Sequence, residues 1–345
     1  MPDTYTSQFS GEEIDAALRA AHIISGASTP AELRDKLEIR GDTIPVSARD
    51  STLISEALTK IPTTSGGGGV NPNLLDNWYF GRPVNQRGQT EYTAGGAYTL
   101  DRWWAQYDTT LSIVDGGIKI GGKWDVQQYF ETTLPNATYT LSLLYKDRTG
   151  SDPLRLLIGN RTDGDLAQTE SKDASGILSV TFSTAKSNKV NFGFTGSTDN
   201  SATIIAIKLE LGSTQTLAHQ DSSGNWILNE IPDFGEQLAR CQRYYRRWTG
   251  ADNKPLGVAV RRESKLLELV FSLDTAMRVA PSLTFNGSFV CVPTFTWCSV
   301  TSIDVATPDT VAIFLKPNDD VTFDLDAYQI NIAHANEYIA LSADL

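Results

Sequence analysis

The chain has 345 residues, 40% hydrophobic and 20% charged, which allows two or three domains with their own cores and excludes a disordered chain. No apolar run approaches the roughly 18 residues that span a bilayer, so membrane insertion is not expected. A net charge of −12 excludes a general affinity for nucleic acid, and three cysteines are too few for a disulfide framework.

The first 65 residues read as helical. Ser10-Gly11-Glu12-Glu13 is a capping box, with Phe9 and Ile14 placed as a hydrophobic staple. A second start follows at Thr29-Pro30-Ala31-Glu32, with Thr29 as cap and Pro30 at the first helical position. A further short helix is predicted over residues 51–60. Such helices are too little material for a separate core, so they are expected to dock on something else. The glycine-rich stretch 66–70 then reads as a linker and a domain boundary.

From residue 71 to 214 the pattern changes to β. Tyr139, Leu141, Leu143 and Tyr145 alternate with Thr138, Thr140, Ser142 and Lys146, the period of a half-buried strand. Ile205, Ile207, Leu209 and Leu211 alternate in the same way. Short strands at close spacing with Gly, Asn, Asp and Pro between them predict an antiparallel β-sandwich of jelly-roll type.

Residues 215–250 are read as a connector followed by a helix. Within it Ile231, Phe234, Leu238, Cys241, Tyr245 and Trp248 recur at alternating three- and four-residue steps. That spacing is the seam of a short coiled coil, and a seam so short needs a partner. It predicts a homotrimer assembled around this stripe. The arginines at 240, 243, 246, 247, 261 and 262 are expected on helix surfaces or in salt bridges between chains. Residues 251–345 carry a second set of alternating segments, the size of another small β-sandwich. The fold class expected is therefore mainly β, with short N-terminal helices, two sandwiches, a coiled-coil-like helix between them and an elongated trimeric form.

The residues able to recognise a ligand are aromatic. Trp104, Tyr107 and Trp124 fall in the first sandwich and Trp297 in the second. Flat aromatic faces stack on the C–H surfaces of sugars, which makes these four the glycan-binding candidates. Trp103 and Trp104 are adjacent in a strand and point to opposite faces, so Trp103 is assigned to the core and Trp104 outward. Asp101 and Arg102 are expected to pair and fix a loop. Asn160, Asp163 and Asp165 read as a turn, because they lack the spacing of a calcium loop. The histidines at 22, 219 and 334 are isolated, so no metal and no cofactor are predicted. No catalytic motif is visible, so an enzyme is not expected.

Several segments together resemble one family. Asn73–Phe80 (NLLDNWYF), Pro83–Gly88 (PVNQRG) and Tyr98–Trp103 (YTLDRW) resemble the opening of a β-sandwich module found in tail fibre proteins of phages and prophages of gut bacteria. Ala206–Gly212 (AIKLELG) resembles the closing strand of that module. Cys241–Tyr245 (CQRYY) resembles the helix after it, and Tyr338–Leu345 (YIALSADL) the usual C-terminal strand. The resemblance covers roughly residues 71–345. It implies a receptor-binding homotrimeric fibre in the virion, attached through residues 1–65 to other tail or baseplate proteins, with the C-terminal part facing a host surface glycan or protein. The start of the sequence has neither the basic nor the apolar region of a secretory signal, which suits synthesis in the host cytoplasm and release by lysis. A polysaccharide-degrading tailspike-type enzyme and a bacterial surface lectin are the alternative readings.

Overall fold

The computed structural model describes residues 71–93, 95–160, 164–184, 187–250 and 254–345. The helices and linker expected before residue 71 lie outside the described residues, as does the binding role given to residues 1–65. Among the described residues the chain is mainly β with one short helix.

Residues 91–211 form a sandwich of two antiparallel six-stranded sheets. In chain order its strands are β1 (Glu91–Thr93), β2 (Ala97–Tyr98), β3 (Trp104–Ala105), β4 (Thr109–Val114), β5 (Gly117–Gly122) and β6 (Asp125–Tyr129). They continue with β7 (Ala137–Thr149), β8 (Leu154–Asn160), β9 (Gly164–Ser171), β10 (Gly176–Thr184), β11 (Lys189–Gly193) and β12 (Ser201–Leu211). One sheet runs β1-β4-β5-β12-β7-β10 and the other β2-β3-β6-β11-β8-β9.

The alternation in β7 and β12 puts Leu141, Leu143, Ile207 and Leu209 into the core between the sheets. At the centre Phe80, Trp103 and Phe192 meet edge to face, with ring centroids 5.4 to 6.0 Å apart. The Trp103 indole donates to the Asn77 carbonyl at 2.8 Å, which satisfies its buried N–H.

The outer face of this sheet departs from the half-buried pattern, because Thr140, Ser142, Lys208 and Glu210 are buried too. The chain after β12 covers them. It forms a hairpin of β13 (Ala218–Gln220) and β14 (Trp226–Leu228). Its buried Leu217 and Ala218 join the core, and Glu230 reaches the Lys208 ammonium at 2.6 Å.

The predicted helix is much shorter than its seam. It spans Phe234–Gln242 (α1), capped by Asp233, whose carboxylate accepts from the Glu236 N–H at 2.9 Å. The following residues form β15 (Tyr245–Thr249), paired with the C-terminal strand β23 (Tyr338–Ser342). The six residues of the predicted seam therefore do not share a helix stripe. Ile231 precedes the helix and is exposed, Phe234 lies against the guanidinium of Arg82 at 4.6 Å, and Leu238 is half-buried. Cys241 is buried within its own chain, Tyr245 is buried on β15, and Trp248 stacks on Phe271 at 5.2 Å. The coiled-coil reading is corrected on this point. Tyr-Tyr-Arg-Arg-Trp-Thr has aromatic and β-branched residues that suit a strand, and the open edge of β23 decides its conformation.

The C-terminal part is also corrected in architecture: it is built on a closed barrel, not a sandwich. Its strands are β16 (Lys254–Glu263), β17 (Leu266–Ser272), β18 (Ser282–Asn286), β19 (Phe289–Val292), β20 (Thr296–Ala306), β21 (Thr310–Pro317) and β22 (Ala327–Ile332). The barrel order is β16-β17-β21-β20-β19-β22, and β22 pairs with both β16 and β19, which removes both edges. Strands β15, β23 and β18 form a separate three-stranded sheet beside it. Leu267, Leu269, Ile313, Leu315 and Ile330 fill the barrel interior. Cys241, Cys291 and Cys298 are free and buried.

The sandwich is joined by direct contacts to the three-stranded sheet beside the barrel and to the chain end that follows it. Gln86 donates to the Tyr245 carbonyl at 2.7 Å, Arg87 pairs with Asp344 at 2.6 Å, and the Tyr98 hydroxyl donates to the Leu345 carbonyl at 2.8 Å.

Candidate glycan-binding site

Three of the four predicted aromatic residues meet at one place. Tyr98 on β2 pairs with Trp104 on β3, and Trp104 pairs in turn with Gln127 on β6. The tight turn before β3 is closed by the Trp103 N–H on the Leu100 carbonyl at 3.0 Å. With Trp103 committed to the core, the next side chain emerges on the opposite face. Tyr98 stands edge-on to Trp104, with centroids 5.3 Å apart and an angle of 84°, which braces the indole.

Beyond β3 the chain turns sharply. Gln106 N–H donates to the Asp125 carbonyl at 3.0 Å, and Thr109 N–H returns to the Gln106 carbonyl at 3.2 Å. The turn pushes Tyr107 outward to 68% exposure. Trp124, just before β6, is 37% exposed, with the Lys123 ammonium 5.4 Å from its ring.

Gly96, Trp104, Gln106, Tyr107 and Trp124 line an open cavity of about 400 Å³. Gly96 has a positive φ of 78°, and a Cβ there would stand 3.2 Å from the Tyr107 ring and 3.5 Å from the Trp104 ring. A side chain at this position would crowd the mouth of the cavity. The walls are aromatic and the Gln106 amide is a polar group able both to donate and to accept. This is a platform on which a flat, hydroxyl-rich ligand could stack and hydrogen-bond.

Trp297 is not part of this group. It projects from β20 of the barrel, 41% exposed, beside the His334 ring at 5.8 Å. Gly96, Gln106 and the bracing Tyr98 were missed by the sequence reading. Their signal was adjacency to the aromatic run, but pairing between β2 and β3 was needed to interpret it.

Asp101 and Arg102 do not pair with each other. Asp101 accepts from the Gln86 backbone N–H at 2.6 Å and its side-chain amide at 3.2 Å. Burial raises its carboxyl from an ordinary 3.8 to about 6, partly offset by the Gln86 hydrogen bonds and the nearby Arg87. Arg102 instead bonds Asp76 at 2.9 Å. Of the Asn160, Asp163 and Asp165 turn, Asp163 and the Asp165 side chain lie outside the described residues.

No family model and no curated protein matches the sequence. Among solved structures, the chain overlaps a CBM4 module at 16% identity, covering 40% of this chain and 99% of the module with a TM-score of 0.28. A family 29 carbohydrate-binding module in complex with mannohexaose overlaps 35% of this chain and 89% of its own, at 9% identity and a TM-score of 0.24. The tandem CBM22-1–CBM22-2 domain of Paenibacillus barcinonensis Xyn10C overlaps 80% of this chain and 98% of its own, at 10% identity and a TM-score of 0.29. The functional reading rests on the three aromatic rings and not on these overlaps.

Proposed function

We propose that this protein is a non-enzymatic glycan-binding adhesin whose ligand stacks on Trp104, Tyr107 and Trp124. The observation that carries the reading is the convergence of these three rings, brought together by the neighbouring strands β3 and β6, on a single open cavity with Gly96 and Gln106. Aromatic stacking suits a neutral pyranose, because the ring's C–H face meets the indole while its hydroxyls remain free for Gln106 and water.

The resemblance of segments 73–80, 83–88, 98–103, 206–212, 241–245 and 338–345 to tail fibre proteins supports a place in a phage or phage-derived tail, with a host surface glycan or protein as receptor. A homotrimer belongs to that reading. The helical seam no longer supports it, but exposed aliphatic residues on the outside of the barrel, Val258, Val270 and Val305, favour a self-associating surface there. Light scattering of the full chain tests the trimer, and a monomer at micromolar concentration removes it.

The ligand reading is tested by screening the full chain on a glycan array and then titrating the best neutral oligosaccharide calorimetrically. Trp104→Ala is expected to weaken binding at least ten-fold, with Trp297→Ala changing it little. Unchanged affinity in Trp104→Ala would remove the platform from the mechanism.

A further inference from the structure

A second cavity, of about 430 Å³, lies where α1 meets the rim of the sandwich. That volume is within the range of about 300–1,000 Å³ usual for small-molecule sites. The Gln237 side chain, accepting from the Asn77 N–H at 2.7 Å, and the buried Cys241 fix α1 against the sandwich. This docking brings Arg240 and Arg243 over Asp76, Arg102 and Glu131.

The charges form a chain with a surplus. Asp76 gives one carboxylate oxygen to Arg102 Nε at 2.9 Å and the other to Arg240 Nε at 2.7 Å. Glu131 accepts from Arg243 at 3.0 Å and from the Tyr244 hydroxyl at 2.6 Å. Three guanidinium groups thus face two carboxylates, a net charge of about +1 along this wall. Arg102 is 2% exposed and lies 3.5 Å over the Tyr244 ring. Its Nη2 donates to the Tyr129 carbonyl at 2.6 Å, while its Nη1 has no hydrogen-bond partner among the described residues. That Nη1 is itself shut off from solvent, so Arg102 adds positive charge from beneath the wall while the partly exposed guanidiniums above it offer the free donors. Arg240 and Arg243 are about one-third and one-half exposed, which leaves their outer N–H groups open to the cavity mouth.

Facing the charges is an apolar wall that includes Leu74, Leu134, Pro135 and Leu211. A ligand matching both walls carries one negative charge, a planar acceptor for a guanidinium fork and an apolar face. We infer that this cavity is a second binding site, independent of the aromatic platform, for a carboxylate-bearing pyranose: a hexuronate residue of an acidic polysaccharide. The sugar's C–H face lies on the leucines and proline, and its carboxylate lies against Arg240 and Arg243, above the buried charge of Arg102. A single surplus positive charge matches a carboxylate better than a doubly charged phosphate monoester, and a guanidinium fork binds a carboxylate through two parallel hydrogen bonds.

The test uses the full chain and three probes: trigalacturonate, neutral maltotriose and inorganic phosphate. Trigalacturonate is expected to bind and to shift the Nε–H resonances of Arg102 and Arg240, with the indole N–H resonances of Trp104 and Trp124 unmoved. Maltotriose and phosphate are expected to leave the arginine signals in place. Raising salt to about 0.5 M should weaken trigalacturonate several-fold, because the rim arginines are partly exposed. Arg243→Gln should weaken it about ten-fold and Arg243→Lys less, since lysine keeps the charge but loses the fork. The inference is overturned if trigalacturonate fails to bind, if it shifts the indoles in place of the arginines, or if maltotriose or phosphate shifts the arginines equally. These wild-type results decide the matter even if an Arg243 variant fails to fold. A dead aromatic platform with a responsive arginine cluster would refute the adhesin reading alone.

Discussion

The sandwich and the barrel are both antiparallel β structures with alternating sequences, yet they treat their outer faces differently. In the sandwich, Lys208 and Glu210 on the outer side of the β12–β7 sheet are fully buried, held by Glu230 and Thr216 on either side of the β13–β14 hairpin. In the barrel, β16, β17 and β20 keep Val258, Val270 and Val305 exposed, while closure around the ring protects the strand edges. Covering a face requires charged groups beneath the cover to find partners, and Lys208 finds Glu230 at 2.6 Å and Glu210 at 3.6 Å. A closed barrel carries no such demand outside. The sandwich is therefore the more fragile of the two to polar substitution, and its aromatic platform stands on the sheet opposite the covered one.

The sharpest way to break this contrast is Lys208→Ala. Removing one partner leaves Glu210 buried beside a cavity, with a cost of about 3–5 kcal/mol expected. Chemical denaturation followed by tryptophan fluorescence should show the loss in the transition that exposes Trp103. A cost below about 1 kcal/mol would mean that water already reaches the pair.

The joint between the two regions gives a smaller, pH-dependent effect. Burial lifts the Asp101 pKa from 3.8 to about 6, so the fold favours its protonated form. This stabilising preference is complete below about pH 3.8 and is lost as pH rises through 6. A shift of that size corresponds to about 3 kcal/mol between the two limits. Asp101→Asn cannot ionise, so the melting temperature of the variant relative to the parent should climb between pH 4 and 7. A difference that stays flat across that window would show that Asp101 does not titrate near 6.

The smallest effect is expected at the barrel surface. Val270→Ser, at a residue 48% exposed, should change the stability of an isolated chain by less than about 0.5 kcal/mol. A much larger loss, falling away on dilution, would mean that the barrel exterior is covered by another copy in the assembled protein.

Much of the local structure was legible. The alternation in residues 138–146 and 205–211 marked β7 and β12, and adjacency required that Trp103 and Trp104 could not both be core. The three- and four-residue steps from Ile231 to Trp248 misled, because the aromatic and β-branched residues from Tyr244 to Thr249 suit a strand as well as a seam. Pairing of β15 with β23 links residues nearly a hundred positions apart, and no local pattern encodes it. Of the candidate site, the ring-bearing residues were readable, but their grouping was not. Tyr107 and Trp124 are joined by the turn at Gln106 and by the pairing of β3 with β6.

By itself the sequence determined where the long sandwich strands form and which of their side chains share a face, because side-chain direction follows from a two-residue backbone period that operates locally. Only the tertiary structure decided that the second β region closes into a barrel, that the seam residues divide between a helix and a strand, and that three aromatic rings share one cavity. Those outcomes depend on which distant strand supplies the missing hydrogen bonds, and that choice is made by the whole chain as it packs.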